Sequence, residues 1–269
     1  SQFADHIYGH TPGNTIAVKS RLIESSGSAL NGRATREQVE LDVQGHKITV
    51  LIYRPNNVVG PVPAFLALNF RGNHTISQEP EVFLPQSWVP VDEEHGVLSN
   101  QATDANRGQR SRRYPLEMIV DRGYALVAAY YGDIYPDHRA GRANSIHTLF
   151  ADEVGSAQWG AIGAWAWGMS RMLDFIEQDQ WIDASRVVAV GHSRLGKASL
   201  WAAAQDQRFA AAISNNSGAV GAALSRRQFG ETVKLITAMF PHWFTAAFKN
   251  YAEKEAALPV DQHQLVALL

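Results

Sequence analysis

The 269-residue sequence predicts an α/β fold built on a mainly parallel sheet. Three observations predict it. Short apolar, β-branched runs alternate with helical stretches along the chain. One run, Val187-Val188-Ala189-Val190, turns sharply between Gly191 and Gly196 and continues as an Ala-rich helix to about Gln205. A third stretch, residues 152–178, carries Trp159, Ile162, Ala166, Met169, Leu173 and Ile176 at alternating +3 and +4 spacings, the stripe of an amphipathic helix.

Composition bounds the rest. The length suits one α/β domain over 1–269, with 1–45 as an N-terminal arm or edge hairpin and 76–112 as an insertion loop. A formal net charge of −2 leaves no basic stripe, which argues against nucleic acid as a partner. The absence of cysteine excludes disulfides and thiolate zinc sites. No apolar run approaches the roughly 20 residues needed to cross a bilayer, so no membrane partner is expected. There is no signal peptide, and the chain starts at Ser1 without Met.

In order along the chain, 47–53 reads as a strand stopped by Pro55, and 64–69 as a second strand leading into Phe70-Arg71-Gly72-Asn73-His74. Residues 116–122 read as a short helix ended by Gly123, and 124–131 as a third strand. The loop 132–148 holds Asp133, Asp137, His138 and His147. They lack tight ligand spacing, so solvated loop residues are expected rather than a metal set. Residues 209–214 form a further strand ending in Asn215-Asn216-Ser217-Gly218, and a helix is expected over about 231–239.

A serine at the tip of a strand-to-helix turn is the nucleophile elbow of α/β-hydrolases, and Ser193 occupies that tip. The following helix N-terminus suits a developing oxyanion. The pattern departs from the common elbow. Leu195 stands where a small residue is wanted, and glycine comes one later, at Gly196. Arg194 and Lys197 lie in or next to the first turn, where the dipole disfavours cations by roughly 0.3–1 kcal/mol each. A carboxylate or an oxyanion compensates. Either Arg194 pairs with a buried acid elsewhere and Lys197 is solvated, or both face a ligand.

A serine nucleophile needs a base and a group that orients it, in the chain order Ser, acid, His for this fold. The 76 residues after Ser193 (269 − 193) hold two histidines, His242 and His263, and neither follows a strand. The best strand-end position for the acid is Asn216. The expectation is therefore a sheet lacking its C-terminal strands, with the acid and base beyond Leu269.

Gly191-His192-Ser193-Arg194-Leu195-Gly196-Lys197 resembles the G-x-S-R-x-G-K signature of glucuronoyl esterases, carbohydrate esterases of the α/β-hydrolase fold. Leu68-Asn69-Phe70-Arg71-Gly72-Asn73-His74, Tyr130-Tyr131-Gly132-Asp133, Ser225-Arg226-Arg227, Phe240-Pro241-His242-Trp243-Phe244 and Asp261-Gln262-His263 extend the resemblance to the family's bacterial branch, from about residue 45 onward. The resemblance implies a cofactor-independent serine esterase acting on 4-O-methyl-glucuronic acid esters of the lignin–xylan type, with glucuronoxylan or a glucuronate ester as partner, in a secreted or periplasmic setting. It implies Ser193 as nucleophile and Arg194 as oxyanion donor through its N–H and guanidinium. It also places Lys197 on the sugar hydroxyls and Glu231 where fungal members carry a sugar-binding Gln. Glu231 reads equally as a helix-dipole partner or cap. Two other readings use the same scaffold: a different carbohydrate esterase, such as an acetylxylan esterase, and a uronate-binding protein without turnover.

Overall fold

A computed structural model of the chain describes residues 1–13, 16–150 and 159–269. These form a mixed β-sheet with helices, divided into two compact units.

The first unit, residues 16–136 and 171–188, is built on a meander. Strands β1 (Lys19–Ser28), β2 (Ala34–Val43) and β3 (His46–Pro55) are followed by β4 (Val62–Asn69), β5 (Ala125–Tyr130) and the start of β6 (Ile182–His192). Their order is β1-β2-β3-β5-β4-β6. The pairs β1–β2, β2–β3 and β3–β5 are antiparallel, and β4–β5 is parallel. Every residue of β5 is buried, which is why its sequence reads as continuous apolar text rather than as alternation. On β2 and β3, Val39, Leu41, Val43, Ile48, Val50 and Ile52 are buried, each worth roughly 1.5–3 kcal/mol.

Between β1 and β2, the one-turn element α1 (Ala29–Gly32) is a hairpin turn rather than a helix. Leu30 and Asn31 both lie in the left-handed region, at φ 51° and 58°. Beside it, Arg36 is buried among Glu24, Glu79 and Glu81, with the Glu79 contact at 2.7 Å. Glu79 also accepts the Leu30 N–H at 2.9 Å and the Tyr53 hydroxyl at 2.5 Å. Residues 76–112 run as loops and single turns. Phe83 N–H donates to Gln38, Arg107 to the carbonyls of Glu79 and Val82, and Asp92 gathers Arg71, His95 and Arg110. Helices α2 (Leu116–Asp121) and α3 (Tyr131–Ile134) flank β5 in sequence.

The second unit, residues 1–15, 137–170 and 189–269, holds the end of β6 and its neighbour β7 (Ala211–Asn215). It also holds helices α5 (Arg194–Gln205), α6 (Val233–Met239) and α7 (Gln262–Val266). Helix α4 (Ala161–Ile176) starts here and continues into the first unit. Its expected first residues, 152–158, lie outside the described residues, and Trp159 precedes the helix rather than joining its stripe.

Residues 1–13, read from the sequence as part of an arm, pack inward in this unit. Phe3, Ile7 and Tyr8 are buried. The Tyr8 ring stacks on Trp201 at 4.7 Å, and its hydroxyl donates to Val220 O at 2.7 Å. Tyr8 O accepts from Gly160 N–H, and Ile7 O from Thr245 N–H. A Cβ on Gly160 would sit 2.1 Å from Trp243 O, so only glycine fits there. Asp261 caps α7 in a capping box with Gln264, and its carboxylate also accepts from the N–H groups of Ser225 and Arg226. Among the described residues no helix is long and apolar enough to cross a membrane.

Candidate functional site

Ser193 sits between the last residue of β6 and the first of α5, with φ 55° and ψ −125°. A non-glycine residue held there stores strain of order 1–3 kcal/mol, which the surroundings must over-determine. They do so through three backbone bonds. Ser193 N–H donates to Asn215 O at 2.9 Å, and Ser193 O accepts from Gly196 N–H at 2.9 Å and Lys197 N–H at 3.1 Å. A Cβ on Gly191 would lie 1.9 Å from Leu195 O, because the turn folds back over it. A Cβ on Gly196 would press at 3.1 Å on Ser214 Oγ and Ser217 Cβ. The odd spacing of the motif is thereby explained. Helix α5 meets the end of β7 through residue 196, while Leu195 is buried.

Arg194 opens α5, so its backbone N–H belongs to a turn without intrahelical acceptors. Its guanidinium bonds to Asp137, whose side chain is 1% exposed. The same carboxylate accepts from His242 Nε2 at 2.8 Å and Trp243 Nε1 at 2.7 Å. The guanidinium also lies over the Trp243 ring at 4.8 Å and the Phe240 ring at 5.3 Å, and those two rings stack at 3.8 Å. Burial pushes the Asp137 carboxyl upward. The His242 hydrogen bond, the Arg194 charge and the Trp243 hydrogen bond outweigh it and hold the group below its ordinary value.

Lys197 is buried, not solvated. Its Nζ donates to Ser217 O at 2.6 Å and lies 5.8 Å from the Trp243 ring. Burial lowers its pKa to about 8, the Arg194 charge acts in the same direction, and Glu231 opposes both. Glu231 is exposed and precedes α6, whose cap is Thr232. That hydroxyl accepts from Leu235 N–H at 3.3 Å. The structure thus gathers Ser193, Arg194 and Lys197 on one turn, with Glu231 electrostatically coupled to Lys197.

Three corrections concern loop residues expected to be solvated. Asp137 is buried as described. His147 is buried between Ser145 and Trp159 O, with its pKa lowered to about 3 by desolvation. Asp133 accepts from Ser87 at 2.6 Å, and burial raises its pKa to about 6. In the meander unit, His74 is buried against Asn106 at 2.7 Å, and Gly72 N–H donates to Asn69, so that loop is locked by side chains. Sequence reasoning missed the platform of Asp137, Phe240 and Trp243. The only signal for it was the Phe240-Pro241-His242-Trp243-Phe244 motif.

No hydrogen-bond partner of Ser193 Oγ lies among the described residues. His242 is engaged with Asp137, and His263 is exposed on α7.

A family model described as "Glucuronyl esterase, fungi" matches residues 115–269. A carbohydrate esterase from an unknown prokaryotic organism is 43% identical over 99% of this chain, and the chain spans 63% of that relative's length. A 4-O-methyl-glucuronoyl methylesterase of Neurospora crassa is 36% identical over 132 residues, 45% of this chain and 33% of the relative. The solved structure of a glucuronoyl esterase from Solibacter usitatus superposes with TM-score 0.90 at 36% identity, covering 99% of this chain and 69% of the other.

Proposed function

Because the chain belongs to the glucuronoyl esterase family, with that family's α/β-hydrolase fold, we propose that it is a serine esterase for esters of 4-O-methyl-glucuronic acid, with Ser193 as the nucleophile. The observation that carries the reading is the strained Ser193 backbone, φ 55° at the β6–α5 turn. Backbone outliers of this kind cluster at active sites, where they position the reacting group.

In the proposed reaction Ser193 Oγ attacks the uronate carbonyl as a base removes its proton. The tetrahedral oxyanion forms beside the Arg194 N–H and the α5 N-terminus. Collapse expels the alcohol, which takes up the proton, and leaves an acyl-enzyme. Water then releases glucuronate and restores Ser193. Lys197 and Glu231, of opposite charge and electrostatically coupled, contact the sugar hydroxyls. No cofactor enters. The base and its acid are assigned to residues other than those described, since no described histidine hydrogen-bonds Ser193 Oγ. A setting outside the cytoplasm belongs to the same reading.

The test is hydrolysis of methyl 4-O-methyl-glucuronate, compared between the protein and its Ser193→Ala variant. The variant is expected to lose at least about three orders of magnitude in kcat. Retention of more than a few per cent overturns the nucleophile. A second reading, uronate binding without turnover, is favoured by the lack of a base on Ser193 Oγ among the described residues. It predicts saccharide binding with no release of methanol.

A further inference from the structure

The meander unit carries a cavity of about 490 Å³, the size of a small-molecule site. Its floor is apolar, formed by Leu30, Ile76, Leu116 and Met118 beside Tyr114. Leu30 is fixed in that wall by its left-handed backbone and by the bond from its N–H to Glu79.

The polar groups around the cavity are unequal. Its acidic side chains are already engaged: Glu79 by Leu30, Tyr53 and Arg36, and Glu117 by Arg33 at 3.4 Å. Its donors are not. The Arg112 guanidinium, the Ser111 hydroxyl and the Gln78 amide line the cavity, and none has a hydrogen-bond or ion-pair partner among the described residues. An apolar floor with spare donors and one unpaired cation fits a ligand with an apolar body and a single anionic acceptor group. Met118 and Tyr114 favour a ring as that body.

We propose that this cavity binds an aromatic carboxylate, its carboxylate on Arg112 and its ring between Leu30, Tyr114 and Met118. The proposal uses no residue of the Ser193 site and stands apart from the esterase reading.

The test is a titration of the protein, labelled at its methionine methyls, with trans-cinnamate and with neutral cinnamyl alcohol. Among the four methionines, Met118 alone lines the cavity, while Met169 and Met172 are buried and Met239 lies on α6. The expected result is a saturable shift of the Met118 methyl with a Kd at or below about 1 mM. Binding should weaken at least about tenfold for cinnamyl alcohol, and about tenfold for cinnamate in Arg112→Ala. Arg112 is exposed, so that variant keeps the fold. The proposal fails if cinnamate does not bind, if the Met118 methyl does not move, or if Arg112→Ala leaves the affinity unchanged.

Discussion

The Asp137 carboxylate holds the Arg194 guanidinium on one oxygen and His242 and Trp243 on the other. One buried acid thereby fixes a cation that the α5 dipole would otherwise repel, and the aromatic platform beneath it. Asp137→Asn removes the charge and keeps the shape. Breaking a buried pair costs roughly 3–5 kcal/mol, less here because Arg194 is 29% exposed. The expected loss is about 2–3 kcal/mol in denaturant unfolding at pH 7. The Asp137 carboxyl is depressed in the folded chain, so its contribution is present above the ordinary value of 3.8 and fades as pH falls through the folded value. The gap between wild type and variant should accordingly narrow below pH 3.8. An equal gap at all pH values would mean that the lost acceptor pattern, not the charge, is what matters.

Ser193→Gly separates chemistry from folding. Glycine adopts φ 55° freely, so the variant should be up to about 1 kcal/mol more stable, with esterase activity abolished. Urea unfolding and methyl glucuronate turnover measure the two halves. A destabilised Ser193→Gly would show that the serine side chain supports the turn.

Lys197 gives a slope with pH. Its pKa falls from 10.5 to about 8, a difference of 2.5 (10.5 − 8), or roughly 3 kcal/mol against the charged form. Below pH 8 both folded and unfolded chains carry the proton, and the whole cost is present. Between pH 8 and 10.5 the folded chain releases a proton that the unfolded chain keeps, so stability rises with pH. Lys197→Met should flatten that rise. Its advantage at neutral pH falls below the full figure because Ser217 O loses its donor. Glu231→Ala should cost little stability at pH 7, no more than the Lys197 shift it causes, since the carboxylate is exposed; it should move the Lys197 transition to lower pH while raising KM for the uronate ester. A stability loss with KM unchanged would make Glu231 structural.

Strands β3, β4, β5 and the end of β6 were legible because burial on one or both faces writes apolar runs into the chain. Strand β1 was legible only within the alternative of an arm or edge hairpin, because it is an edge strand without a buried residue. Strand β2 hid its alternation by burying Arg36 and Gln38 on the face opposite Val39, Leu41 and Val43, where carboxylates and, for Gln38, backbone groups satisfy them. At the site, Ser193 was legible because a sharp turn needs Gly191 and Gly196 at fixed offsets. Asp137 was not. It lies in an irregular loop 57 residues from Arg194, and no local periodicity records that such a residue is buried.

Residues 3–8 find their partners far along the chain. Tyr8 needs Trp201 and Val220, and Ile7 needs Thr245. At roughly 5–20 residues per second, the 238 residues from Ile7 to Thr245 (245 − 7) occupy a ribosome for about ten to fifty seconds. Until Gly160, Trp201, Val220 and Thr245 have emerged in turn, Phe3, Ile7 and Tyr8 lack part of the core that buries them. The second unit cannot close its core in the direction of translation. Residues 3–8 therefore complete this core only once residue 245 has been made, which makes the segment a natural client for a chaperone.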